Sequence, residues 1–244
     1  PYGVLGFLKM PTTEGYNLAY FLLFYTVLKI WFIILFLKLA TKINPYRKNL
    51  PVLVVIGKLF LLSTEYLILG LCIIQCIMYV ETKILWNIFF ATAVAFVGFC
   101  IKSSIGISAF SMIFMAFLIN FYLKRNRVDA IKFIGVVFVT IGSFEVLIFH
   151  DFTSFYHYVL NVIKLSANYS TALSLFPSNN WWLLSGFLGT IFIFPFIAKN
   201  KRNAQIILLL FLPSFFAMWK HAMSREDISH NTVLLYYLFL FWGI

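Results

Sequence analysis

Charge is what this sequence has least of. Only 11% of its 244 residues are Asp, Glu, Lys or Arg, and just 8 are acidic. A soluble domain carries about 25% charged residues, so the shortage argues against an ordinary water-soluble fold. Cysteine is scarce as well. Cys72, Cys76 and Cys100 all lie in apolar runs, and none stands at metal-ligand spacing from a histidine. That excludes a disulfide framework and a zinc site, and leaves core thiols as the reading. No glycine-rich phosphate loop, CxxC pair or HExxH stretch occurs. With no such ligand set, no metal and no cofactor are expected.

What is present is apolar surface. Hydrophobic residues make up 62% of the chain and aromatics 20%, with 30 Phe among them. The expected fold class is all-α, a polytopic helical transmembrane bundle of about eight or nine apolar helices, some short or broken. Closed barrels also cross membranes, but their strands alternate in and out. Residues 131–149 are apolar all round, which favours helices. Pro1 is no initiator, and the last apolar run, 232–244, falls short of the ~20 residues a crossing needs. The chain therefore reads as a fragment of a larger protein, one transmembrane domain over 1–244 truncated at both ends.

The net charge of +11 invites a nucleic-acid reading, and its placement rejects it. Eleven of the 19 Lys and Arg collect in three short linkers, at 38–48, 124–132 and 199–202, with Asp129 the one acid there. Elsewhere between apolar runs, basic and acidic residues balance. This is the asymmetry of the positive-inside rule, and it puts those linkers in the cytoplasm. The expected location is a bacterial inner membrane, crossed several times. The expected partner is membrane lipid, not nucleic acid.

Along the chain, a first span is expected at 17–39, with the basic stretch TKINPYRKN after it. Residues 50–123 are apolar but broken at Lys58, Ser63-Thr64-Glu65, Glu81-Thr82-Lys83 and Lys102-Ser103-Ser104. Four short helices at about 50–63, 66–80, 84–100 and 104–123 fit, since both ends must be cytoplasmic. Two crossings with re-entrant pieces is the alternative. A span at 131–149 then leads outward. Residues 150–180 form an extracytoplasmic segment, in which Phe152, Phe155, Val159 and Val162 recur at helical spacing opposite His157, Asn161 and Lys164. This predicts an amphipathic surface helix over 152–164, N-capped by Asp151. Spans follow at 181–198 and 206–219, with Pro213 kinking the second.

Residues 219–231, WKHAMSREDISHN, are a polar knot between two apolar runs. Arg225 offers a bidentate fork for phosphate or carboxylate, and Lys220 and His221 add cationic character. His230 is of the type that accepts a proton from an attacking hydroxyl, with Asp227 to orient it. The competing reading is a solvated turn marking a helix end. Lys102, in GFCIKSSIG, either faces a polar interior or snorkels from a helix start. After the surface helix, SANYSTAL at 166–173 offers Tyr169 as a hydrogen-bonding group for a sugar, against the reading of an ordinary polar loop.

Three stretches carry a resemblance. PYGVLGFL (1–8), NYSTAL (168–173) and KHAMSREDISH (220–230) are similar to YGPLGFL, GYS-AM and KxGFVRxDxxH-like segments of an uncharacterised group of large bacterial multi-spanning proteins. Val4 stands where that group has proline, Asn168 where it has glycine, and Ala222-Met223 where it has Gly-Phe. More distantly, the chain resembles membrane glycosyltransferases of the O-antigen ligase and polymerase type. That resemblance implies a polyprenyl-pyrophosphate-linked glycan substrate handled at the outer face without a metal. It also implies Arg225 and Lys220 on the pyrophosphate, and His230 as base. The alternatives are a transporter or flippase for an anionic lipid or glycan, and a non-catalytic membrane assembly subunit.

Overall fold

The computed structural model of the chain describes residues 14–43, 64–124, 127–172 and 201–224, with single helical positions between 186 and 196. Among the described residues there are seven helices and no strand. They are α1 (Glu14–Ile43), α2 (Thr64–Thr82), α3 (Leu85–Ile101), α4 (Ser103–Lys124), α5 (Arg127–Phe149), α6 (Phe152–Ala172) and α7 (Lys201–Ser224). Three stretches are long and apolar enough to cross a membrane: Leu22–Leu39, Ser103–Tyr122 and Arg127–Phe149. Three shorter apolar helices join them, Leu67–Thr82, Leu85–Ile101 and Arg202–Phe216. At ~1.5 Å per residue the 17-residue α3 falls short of a hydrocarbon core of ~30 Å.

Helix α2 is the centre. It packs against α1, α3, α4 and α7, and every residue from 67 to 77 is buried. Its sequence is apolar all round because no side of it faces outward. Short connections force the neighbours to alternate. Asn87 near the start of α3 bonds Thr82 at the end of α2, while Gly98 near the end of α3 meets Ile68 near the start of α2. The α2–α3 pair is therefore antiparallel. Helix α4 runs parallel to α2: the Cys72 thiol reaches the Ala109 carbonyl, and Asn120 reaches Tyr79. Helix α5 lies against α3 and α4, with Phe133 on Tyr79 and Phe144 on Phe96.

Small residues set how closely α3 and α4 approach. A Cβ at Gly106 would overlap the Cα and Cβ of Phe99, so only glycine lets the two backbones meet there. Ala109, Met112 and Ala116 continue the buried stripe down α4. The turn between the two helices is a single residue, Lys102. Its N–H bonds the Gly98 carbonyl at 2.8 Å, and its own carbonyl accepts from Ile105 and Gly106 at 3.0 and 3.2 Å. One extended residue thus caps part of each helix end.

The helix boundaries correct several sequence expectations. The first helix runs four residues past 39, into the basic stretch after it. The expected helix at 50–63 lies outside the described residues, as does most of 181–198. The next three helices fall within three residues of expectation. Two differences bear on the candidate site. Helix α6 continues to Ala172, so the polar stretch before it is helical and not a loop after the helix. Helix α7 passes through Pro213 and continues to Ser224, carrying Lys220 and His221 on its last turns. The cause is the same in both: neither 165–172 nor 214–224 contains glycine or proline to stop a helix.

Candidate functional site

Of the candidate residues, Lys102 is the one whose surroundings the described residues show. Lys102 sits half-buried at the α3–α4 turn. It does not lie inside a continuous apolar helix but at the break between two. Beside it, α6 docks on the last turn of α3. The Tyr158 hydroxyl is 3.1 Å from the Phe99 carbonyl and 3.3 Å from the Cys100 carbonyl, donating to this pair at the helix end. These are carbonyls without intrahelical partners in a short helix, so the phenol completes the cap. Burial pushes the Tyr158 phenol up to about 12, with the Cys100 thiol acting in the same direction. It therefore keeps its proton, and its role as donor, across the neutral range.

Aromatic rings surround that hydroxyl. Phe155 stacks on Phe96 at 5.8 Å and lies 5.2 Å from Phe149. Tyr158 meets Phe99 edge-on at 5.7 Å and Phe149 at 5.2 Å. Each such pair adds ~0.5–1.5 kcal/mol beyond the area it buries. The opposite face of α6 exposes His157, Asn161 and Lys164, as the helical spacing predicts. Val159 and Val162 are half-buried with Phe155. Phe152, on the same stripe, is 70% exposed and so is not packed into the bundle.

The start of α6 is built by Asp151. One carboxylate oxygen accepts the Ser154 N–H at 2.7 Å, and the other accepts the Ser154 hydroxyl at 2.7 Å. These bonds hold the exposed Asp151 carboxyl below its ordinary range. His150 just before it adopts a left-handed φ of 64°, which lets α5 end and α6 begin within two residues.

The remaining candidates divide by position. Tyr169 lies on the last turns of α6 and Lys220 and His221 on those of α7, by backbone. Arg225, Asp227 and His230 lie outside the described residues. Sequence reasoning missed Tyr158, which falls three residues after Phe155 on the same inward stripe. That spacing was the available signal, obscured because the hydroxyl read as polar. It also missed a buried polar group of Gln75, Tyr79 and Asn120 at the other end of the core. Comparison with protein-family models, with curated proteins and with solved structures finds no match for the chain.

Proposed function

We propose that this chain forms a polytopic, multi-pass helical bundle in the bacterial inner membrane that acts at its outer face on glycans linked to polyprenyl pyrophosphate. The observation that carries the reading is the docking of amphipathic α6 across the α3–α4 turn beside Lys102, with His157, Asn161 and Lys164 turned outward. Such a helix lies in a membrane interface, and it stands over the one cation of the short α3–α4 turn. The apolar exposed face of α5, with Ile131, Phe138, Val139 and Leu147, supports lipid around the bundle.

On this reading the cationic groups of 220–230 hold the pyrophosphate. Arg225 grips it bidentately, and Lys220, His221 and Lys102 add positive charge. Tyr169 hydrogen-bonds the sugar. His230, oriented by Asp227, takes the proton of the acceptor hydroxyl as that oxygen bonds the anomeric carbon. The bond from that carbon to pyrophosphate breaks, and the lipid pyrophosphate leaves with the electron pair. Fixed cations stabilise the charge that develops on it.

The test is a pair of conservative substitutions. Arg225→Lys keeps the charge and removes the fork; His230→Gln keeps hydrogen bonding and removes the titrating site. Both variants are expected at normal levels in the membrane with polymer or ligated product lost, roughly a hundredfold or more for the base. Lipid-linked precursor should then build up on the outer leaflet. Precursor held on the inner leaflet would identify a transporter. Unchanged product would remove the catalytic assignment of 220–230.

A further inference from the structure

The core holds a polar group that the proposed reaction does not use. Gln75 and Tyr79 lie one turn apart on the same face of α2, and Asn120 projects from α4. Their exposures are 2%, 2% and 3%. The Asn120 amide nitrogen donates to the Tyr79 hydroxyl at 3.0 Å. That leaves two carbonyl oxygens, Gln75 Oε1 and Asn120 Oδ1, buried with no hydrogen-bond donor among the described residues. Turning the Asn120 amide over would not repair this, because it exchanges an unmet acceptor for an unmet donor. A buried amide oxygen without a donor costs roughly 1–3 kcal/mol, so two in one core call for a common explanation.

The surroundings narrow the choice of ligand. The Lys83 ammonium is 5.6 Å from the centre of the Tyr79 ring, and Asp129 stands one turn before Phe133 of α5, whose ring lies 5.2 Å from that of Tyr79. A bound cation would face Lys83. A bound anion would face two carbonyl oxygens and Asp129. A neutral donor faces neither penalty. Enclosure restricts it further, since neither oxygen has any opening to bulk solvent. We propose that Gln75 and Asn120 are hydration sites, holding water buried between α2 and α4 at the end of the core marked by Lys83 and Asp129. Water donates to either carbonyl and accepts from the phenol, which a purely apolar neighbour cannot do. The assignment is independent of the function proposed above.

An experimental structure of the intact chain, in buffer free of glycerol and other polyols and at a resolution that shows ordered water, tests it. Ordered density within ~3 Å of both oxygens is expected. Density only when polyol is added, or side chains turned so that the two amides meet protein donors, would overturn it. Thermal unfolding of Gln75→Met gives a second reading by sign. Methionine matches glutamine in volume and removes the oxygen. If the oxygen is hydrated, the water loses a partner and Tm should fall by ~2 °C or more. If the oxygen is dry and unmet, its removal should leave Tm unchanged or raise it, and the proposal fails.

Discussion

Helices α2 and α5 are both apolar on every side, yet they live in opposite surroundings. From 67 to 77 each α2 residue is buried, whereas α5 buries only Ala130, Phe133, Thr140 and Ile148. Phe138 of α5 is 71% exposed; Leu71 of α2 is wholly enclosed. Composition alone does not separate them. Neighbours do: α2 has helices on all sides, while α5 rests one narrow stripe on α3 and α4. An apolar helix in such a chain is thus either filling for other helices or wall against lipid. Small residues are the better guide, because glycines touched by other helices lie in α2, α3 and α4. Gly135 and Gly142 of α5 have no described atom within 4 Å of an added Cβ.

The largest expected contrast is a matched leucine truncation. Leu71→Ala should cost about 2–5 kcal/mol, since the emptied volume is lined by packed side chains. Leu147→Ala, 65% exposed on α5, should change stability by less than ~0.5 kcal/mol. Chemical unfolding in detergent measures both. Equal losses would mean that α5 is covered by protein, and the division into filling and wall would collapse.

Next come the glycines. Gly106→Ala forces α3 and α4 apart at Phe99, and overpacking of this kind costs ~1–3 kcal/mol or more. The same change at Gly135 or Gly142 meets open space and should gain up to ~1 kcal/mol from helix propensity. The informative readout is the sign of the Tm shift. A stabilising Gly106→Ala would contradict the close approach of the two helices.

A smaller effect separates α6 from both. Tyr158→Phe keeps the ring cluster and removes the hydroxyl from the Phe99 and Cys100 carbonyls. A net loss of ~1 kcal/mol is expected, felt in α6 rather than globally. Amide exchange should quicken in α6 while 67–77 stays protected. Uniform quickening would show that Tyr158 is part of the core and not a latch for one helix.

How much of this was legible follows the same line. The helices of 64–149 emerge within a few residues because breaks in hydropathy coincide with the chain breaks at 83–84 and 102 and with the helix ends at 124 and 127. The amphipathic α6 was legible from its period. The ends of α6 and α7 fall later than expected because polar composition alone does not stop a helix, and 165–172 and 214–224 hold neither glycine nor proline. Which apolar helix sits at the centre was not legible, because α2 and α5 present the same period-free pattern. The buried Gln75, Tyr79 and Asn120 were missed for a related reason. Their pairing joins residues 41 apart, and nothing local marks it.

The smallest effect is a titration confined to the α5–α6 joint. Asp151 caps α6 through Ser154, and these bonds hold its carboxyl below the ordinary range, with His150 acting in the same direction. Because the folded value is the lower one, the cap's contribution is complete above the unfolded value of ~4 and is lost as pH falls through the folded value. Acid should therefore fray the first turn of α6 before it disturbs α2, whose buried stretch 67–77 contains no acid. Asp151→Asn can still accept the Ser154 N–H but has no carboxylate to titrate, so the acid sensitivity should disappear while α6 remains helical at neutral pH. Amide exchange of residues 153–156 against pH measures this. The same acid response in wild type and Asp151→Asn would assign the fraying to another group and remove Asp151 as the joint's titrating cap.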